Sequence, residues 1–177
     1  MRARRILVAG PSGSGKTTLA RRIAAAAGVP HTELDGLHWH AGWTPNPAFE
    51  DDVATLVAGD AWVTEFQYPR VRPLLASRAD LLVWLRPPAA VVLQRVVRRT
   101  VLRRLRREAL WNGNVEAPLR TFFTDPDHIV RWSVKTLRDA EGWVRGAKAV
   151  TPALPVVQVR SRRDAERLLA LLRRDAP

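Results

Sequence analysis

The sequence predicts an α/β fold, a parallel sheet with helices on both faces. Three observations carry this. Short apolar runs alternate with helix-periodic segments along the chain, the pattern of successive βα units. One run, Leu81-Leu82-Val83-Trp84-Leu85, is apolar throughout, as a strand covered on both faces must be. Near the start, an apolar run, a glycine-rich loop and a helix-forming stretch follow one another directly over residues 6–27.

The elements read in order as follows. Ile6–Ala9 is the first strand and Thr18–Ala27 the first helix, stopped by Gly28-Val29-Pro30. His31–Leu34 is a second, weaker strand ending at Asp35-Gly36, and residues 37–46 are loop-like. Pro47–Ala58 suits a helix with Phe49, Val53, Leu56 and Val57 on one side. Ala61–Glu65 is the third strand, followed by a loop and a short helix through Val71, Leu74 and Leu75. Asp80–Leu85 is the fourth strand. Arg86-Pro87-Pro88 breaks it and seeds the next helix, because proline is tolerated in a first turn. In that helix Leu93, Val97, Val101 and Leu105 recur every four residues beside Leu102, with arginines over much of the remaining surface. Periodicity is lost over residues 108–125, where Trp111-Asn112-Gly113-Asn114 is a turn signal. A helix follows over about 127–145, then a strand over Leu154–Val159. Ser161 is placed to cap a final helix through Ala165, Leu168, Leu169 and Leu172. Trp62, Trp84, Trp132 and Trp143 are expected in the core, and Trp39, Trp43 and Trp111 in loops.

Residues 10–17, Gly-Pro-Ser-Gly-Ser-Gly-Lys-Thr, fit G-x-x-x-x-G-K-[ST] without a mismatch, in the strand–loop–helix context that motif requires. A nucleotide's phosphates are densely negative, so the loop must turn backbone N–H groups inward. Gly10, Gly13 and Gly15 permit that path. The following helix points its positive end at the same place, Lys16 supplies a mobile charge, and Thr17 offers a hydroxyl to Mg²⁺. Ser12, Ser14 and Thr18 complete the expected nucleotide cradle.

Length and composition bound the rest. The chain has 177 residues, enough for one domain with a real core. It has no cysteine, so neither a disulfide framework nor a cysteine metal site. The apolar run near the N-terminus is too short for a signal peptide and no stretch approaches a membrane span, so the expected compartment is the cytoplasm and no membrane partner is expected. Net charge is +12, almost all of it arginine, since lysine occurs only at 16, 135 and 148. Such a surface attracts polyanions, which makes nucleic acid a second, less favoured class of partner.

Phosphoryl transfer asks the protein to position the acceptor, hold a metal and place cations on the oxygens that gain charge. Asp35, at the end of a predicted strand, is the candidate to orient an acceptor hydroxyl or take its proton. Glu65 ends the third strand, where a carboxylate holds Mg²⁺ through water or positions substrate. Asp80 starts its strand, at the wrong end of the sheet for a metal ligand. His38 and Trp39 are candidate pocket walls. Asp35, His38 and His40 could be written as a metal set, but nothing else in the sequence supports it. Arg95, Arg99 and Arg103 share a helix face; Arg99 and Arg103 are the first candidates to reach the phosphates.

Taken together, Gly10–Thr18, Leu34-Asp35-Gly36-Leu37-His38-Trp39 with Gly42-Trp43, Trp62-Val63-Thr64-Glu65 with Tyr68, and the arginine helix resemble the small P-loop kinases of the adenylate kinase and shikimate kinase type. Within them the chain is most similar to the bacterial topology-modulation and adenylate kinase-related P-loop proteins, over roughly residues 4–145. The resemblance implies a three-layer P-loop NTPase fold with a five-stranded parallel sheet in the order 2-3-1-4-5 and an arginine-rich lid. It implies ATP and Mg²⁺ as cofactors, and an acceptor site between the loops after Asp35 and Glu65, with Tyr68 on its wall. It also places Arg160, Ser161 and Arg162 against the adenine. One departure is visible: relatives end the third strand Asp-Gly-Asn-Tyr, whereas this chain has Glu65-Phe66-Gln67-Tyr68. The longer acid and the bulk of Phe66 reshape the acceptor pocket and argue away from a nucleoside monophosphate. The resulting expectation is one kinase domain over 1–177, with an acceptor-side segment at 37–60 and a lid-like segment at 98–125, working as a monomer or homodimer. Its activity would be ATP-dependent phosphotransfer to a nucleoside, nucleotide or other hydroxyl metabolite. The alternative is a nucleic acid-associated NTPase or a regulatory ATP-binding protein.

Overall fold

The computed structural model describes the backbone of residues 3–106, 111–114 and 129–174, and their side chains except at 99–101, 103–106, 111 and 129–138. Within these residues, strands β1 (Arg5–Ala9), β2 (Trp62–Glu65), β3 (Leu81–Leu85) and β4 (Val156–Val159) form one sheet in the order β2-β1-β3-β4. All three pairings are parallel.

The expected five-stranded sheet is therefore corrected to four strands. His31–Leu34, read as the second strand, does lie along β2, but it makes a single bridge, from His31 to Val63. Two bonds hold it there, from the Val63 N–H to the Pro30 carbonyl (2.8 Å) and from the Thr32 N–H to the Val63 carbonyl (3.0 Å). Pro30 has no N–H to give. The Thr64 hydroxyl takes the Thr32 carbonyl at 2.7 Å, the group a continuing ladder would use. The chain turns instead into a short helix, α2 (Leu34–His38), so Asp35 sits in a first helical turn rather than at a strand end. The other four strands keep the expected order.

Alternation along the strands sorts the core into two layers. Ile6, Val8, Val63, Leu81 and Val83 face α1 (Lys16–Ala27) and α7 (Arg162–Arg174). Leu7, Ala9, Trp62 and Leu82 face the opposite layer, which holds α3 (Phe49–Ala58), α4 (Arg72–Arg78) and α6 (Ile129–Val150). Trp62 is fully buried, and Trp84 and Trp143 are partly buried against the same cluster, whereas the Trp132 side chain lies outside the described residues.

The helix ends follow local chemistry. Gly28 closes α1 in the left-handed region. The Asn46 side chain accepts the Ala48 N–H at 2.9 Å, which delays α3 to Phe49, two residues later than expected. At α7 the Ser161 hydroxyl accepts the Asp164 N–H at 3.2 Å, and the Asp164 carboxylate accepts the N–H groups of Arg160 and Ser161 at 3.1 and 2.9 Å. This reciprocal box bears out Ser161 as the cap. Helix α5 (Ala89–Arg106) differs from its expected facing. Among its described side chains Val92 and Val96 are the buried ones and Val97 is 47% exposed, so over that stretch the stripe is turned by one residue, about 100°. The cause is the surface it meets, the glycine-rich loop. Among the described residues no helix is long and apolar enough to cross a membrane.

Candidate active site

The carboxyl ends of β1 and β2 converge on the loop Gly10–Gly15. Two of its glycines are required by packing. A Cβ on Gly13 (φ +78°) would lie 2.1 Å from Val96 Cγ2, and one on Gly10 would lie 2.8 Å from Ser14 Oγ and 3.0 Å from the Leu85 carbonyl. Helix α5 thus lies directly on the loop, with Val92 and Val96 buried against it. Helix α1 opens at Lys16 with no side-chain cap and no acidic residue in its first turn, which leaves its N–H groups for an anion. Lys16 Nζ donates to the Pro11 carbonyl at 3.1 Å, folded back over the loop. The Ser14 hydroxyl is buried without a hydrogen-bond partner among the described residues. Ser12, Gly15 and Thr17 are half-buried and Thr18 is exposed at the same mouth.

Asp35 faces this loop from α2. Its Oδ1 accepts two bonds, from the Tyr68 hydroxyl at 2.5 Å and from Gln67 Nε2 at 2.9 Å. Burial raises the Asp35 carboxyl above the ordinary carboxylate range. The Tyr68 bond and the charge of Lys16 oppose the shift without cancelling it, and the negative charges of Glu65 and Glu33 add to it. Lys16 and Glu65 therefore both lie within electrostatic reach of Asp35. Burial also pushes the Tyr68 phenol up, as do the charge of Asp35 and the bond donated to it, so the hydroxyl keeps its proton and remains a donor. Tyr68 holds φ at +60°, a strained value for an aromatic residue.

Glu65 is 2% exposed. Its Oε1 lies 3.3 Å from His31 Nε2, and its Oε2 is buried with no partner among the described residues. A buried carboxylate oxygen left open in this way suits a hydrated cation. His31 escaped the sequence reading: its partner is 34 residues away and no local pattern marks it.

Around Asp35 the walls are aromatic. The His38 ring lies 4.5 Å from Trp39, 4.6 Å from Phe49 and 4.2 Å from Tyr68, and burial lowers its pKa. Residues 39–45 are not the plain loop expected: Trp39 and Pro45 form an antiparallel bridge around a 3₁₀ turn at Ala41–Trp43. His40 contributes backbone bonds to that hairpin, its N–H reaching the Thr44 carbonyl at 2.8 Å. Among the described residues no three His, Asp or Glu side chains come together to hold a metal, so Asp35, His38 and His40 form no such set.

Arg95, one turn before Arg99 on the same face, brings Nη1 to 3.3 Å from the Ser14 carbonyl on the phosphate loop. Arg95 is the described member of the face it shares with Arg99 and Arg103. The side chains of Arg99 and Arg103 lie outside the described residues, as do residues 107–110 and 115–125 of the lid-like segment. Arg160 and Arg162 follow β4 at the same sheet edge and are exposed. Arg162 Nε lies 3.8 Å from Glu166 on its own helix. Arg72, unremarked in the sequence, stacks 4.2 Å over the Trp143 ring, and burial lowers its pKa despite the charge of Asp139. Asp80 is at the opposite end of the sheet, bonded to Arg5.

A model of the ATPase family associated with various cellular activities (AAA) matches residues 6–49, the stretch from β1 through the loop and α1 to the start of α3. No curated protein matches the chain. Among solved structures, shikimate kinase from Acinetobacter baumannii in complex with shikimate is similar at TM-score 0.57 and 19% identity, covering 96% of this chain and 92% of that one. A gluconokinase from Sinorhizobium meliloti 1021 is similar at TM-score 0.54 and 22% identity, covering 97% and 94%. A putative kinase from Chloroflexus aurantiacus is similar at TM-score 0.55 and 16% identity, covering 97% of each chain. At these identities the likeness shows the fold: an α/β P-loop kinase fold spanning nearly the whole chain.

Proposed function

We propose that this chain is an ATP-dependent kinase that moves the γ-phosphate to a hydroxyl of a small-molecule acceptor. The observation that carries the reading is Asp35. It is a half-buried carboxylate, oriented by two donors on one oxygen, within electrostatic reach of the lysine of a phosphate-binding loop. A protein that only bound nucleotide would have no use for such a group there, and the choice between an acceptor hydroxyl and water as its partner is what the experiment below decides.

In this reading the N–H groups of residues 13–18 and the start of α1 bind the phosphates. Lys16 swings from the Pro11 carbonyl to the transferring phosphoryl group, and Arg95 leaves the Ser14 carbonyl for a phosphate oxygen. Tyr68 and Gln67 fix Asp35 through Oδ1. Its second oxygen then accepts the proton of the acceptor hydroxyl as that oxygen attacks phosphorus in line. The proton passes to Asp35, the new O–P bond forms, and the bond to the leaving diphosphate breaks. Thr17 and Glu65 are the residues that would hold Mg²⁺, which when bound offsets charge on the phosphates. Glu65 Oε2, buried and open, is the feature that fits it. Arg99 and Arg103 are proposed to add charge from α5, and Arg160 and Arg162 to lie at the base. His38, Trp39 and Tyr68 are proposed as acceptor walls. On the blocks Leu34–Trp39 and Trp62–Tyr68 the subgroup we favour is the topology-modulation proteins.

The experiment is conversion of ATP to ADP across nucleosides, nucleotides, sugars and aminoglycosides, with mass detection of phosphorylated product. The expected result is acceptor-dependent turnover with an added phosphoryl mass on one class. ADP release that no acceptor stimulates would overturn the reading in favour of an NTPase.

A further inference from the structure

Asn114 lies in the Trp-Asn-Gly-Asn turn, 71 residues beyond the hairpin that walls the acceptor side. It is 4% exposed, unusual for an asparagine in a turn. Both ends of its amide are used on that hairpin. Oδ1 accepts the Trp43 N–H at 2.9 Å, and Nδ2 donates to the His40 carbonyl at 2.9 Å. Asn112 adds a third bond, from its Nδ2 to the Trp39 carbonyl. The hairpin's own ladder pairs the His40 N–H with the Thr44 carbonyl and the Asn46 N–H with the His38 carbonyl. The three backbone groups met by Asn112 and Asn114 are ones that ladder leaves over. An isolated hairpin of this length is marginal in water. This one also holds Trp43 at φ +58°, a conformation that persists only where surroundings impose it.

The hairpin in turn bears on the chemistry. The Trp39 ring meets Trp43 edge-on at 5.6 Å and His38 at 4.5 Å, and His38 lies 4.2 Å from the Tyr68 ring whose hydroxyl orients Asp35. The sequence separation excludes a local explanation for the Asn114 bonds. The bonds join a residue after α5 to a segment before α3, and so couple the arginine-bearing side of the molecule to the acceptor side.

We infer that Asn114 is a positioning residue for the acceptor site: by clamping the Trp39–Thr44 hairpin it fixes the wall against which the acceptor is held. The inference rests on the kinase reading for its consequence and on geometry alone for its mechanism. A small, bidentate amide is suited to the role because it satisfies one donor and one acceptor together. Aspartate would keep the bond from the Trp43 N–H and lose the one to the His40 carbonyl.

The test compares wild type, Asn114→Ala and Asn114→Asp. Amide hydrogen exchange is read residue by residue, ATP affinity by calorimetry, and acceptor KM and kcat separately. Asn114→Ala is expected to speed exchange at Trp43 and across residues 39–46 by about tenfold or more, with β1 and α1 unchanged. ATP affinity should stay within about twofold and acceptor KM should rise about tenfold, with kcat falling less. Asn114→Asp should fall between, with Trp43 still protected. Unchanged exchange at Trp43 in the alanine variant would overturn the clamp. A loosened hairpin with unchanged acceptor KM would overturn its bearing on the acceptor. If alanine fails to fold, the aspartate variant and its split between Trp43 and the rest of the hairpin decide the matter. Should wild type phosphorylate nothing, the kinase reading falls separately, and exchange alone judges the clamp.

Discussion

Tyr68 donates its hydroxyl to Asp35 across 2.5 Å, joining the loop after β2 to the short helix α2. The bond acts on the ionised form of Asp35, favouring it against a burial that disfavours it. A base must be ionised to take a proton, so transfer should rise with pH through the raised Asp35 value. Tyr68→Phe removes one of the groups that lower that value. Its acid limb in kcat/KM is expected to move to higher pH, with Gln67 still in place. A pH–rate profile measured beside wild type checks this; a limb that stays put removes Asp35 from the proton transfer.

The same shift has a stability consequence of definite sign. The folded state holds the Asp35 proton more tightly than the unfolded chain does. Stability is therefore lost as pH rises from the ordinary carboxylate pKa through the raised one, and ionised Asp35 is a destabilising group at pH 7. Asp35→Asn should raise the unfolding midpoint at pH 7, gain nothing near pH 3, and lower transfer about 10²–10⁴-fold. Thermal unfolding at the two pH values, with turnover, measures both halves.

Lys16 donates to the Pro11 carbonyl within its own loop and lies half-exposed, so its removal disturbs little of the core. Lys16→Ala should lower ATP turnover about 10²–10³-fold, the scale of losing one preorganised charge on the transferring group. Circular dichroism should be unchanged. Near-wild-type turnover would show that the loop's backbone suffices without the lysine.

Much of the fold was legible because it is written locally. The phosphate loop, the fully apolar β3 and the Ser161 cap each depend on residues within a few positions of one another. What was not legible depends on partners far along the chain. The loss of the second strand turns on Thr64 taking the Thr32 carbonyl, and the facing of α5 on Gly13 leaving room for Val96. At the site, Lys16, Asp35 and Glu65 stood out by motif or predicted strand end, and Tyr68 through the family resemblance. Gln67, His31 and Asn114 matter through contacts 32, 34 and 71 residues away. No periodicity records those.

The meeting of Gly13 and Val96 makes a further prediction. A methyl on Gly13 would lie 2.1 Å from Val96 Cγ2, and the backbone there is left-handed at φ +78°. Gly13→Ala combines overpacking, about 1–3 kcal/mol, with a left-handed residue, about 1–2 kcal/mol. It should destabilise the protein and weaken ATP binding by shifting α5 from the loop. Adding Val96→Ala should recover part of the binding, because it opens the space, but not the backbone cost. Calorimetric ATP titration of the single and double variants reads the difference. Equal losses in both would mean that α5 does not set the loop's shape.

Asp80 makes the contrasting case, a carboxylate at the far end of the sheet. Burial pushes it up, but bonds from the Arg5 guanidinium (2.6 and 3.1 Å) and from the N–H groups of Arg5 (2.9 Å) and Arg4 (3.1 Å) outweigh that and hold its pKa below the ordinary value. A group with a lowered folded pKa stabilises above the unfolded value and loses that contribution as pH falls through the folded one. Asp80→Ala leaves two backbone N–H groups at the start of β1 without their acceptor, a loss of about 1–3 kcal/mol at pH 7. Below the lowered pKa the wild type should forfeit the same charge-assisted bonds, so the gap between the two proteins should narrow on acidification. Turnover per folded molecule should be unchanged, since Lys16, Asp35 and Glu65 lie at the other edge. Chemical denaturation at pH 7 and pH 3 measures the gap. A gap that is constant with pH would mean that the Asp80 charge contributes nothing, and that its role is confined to its shape.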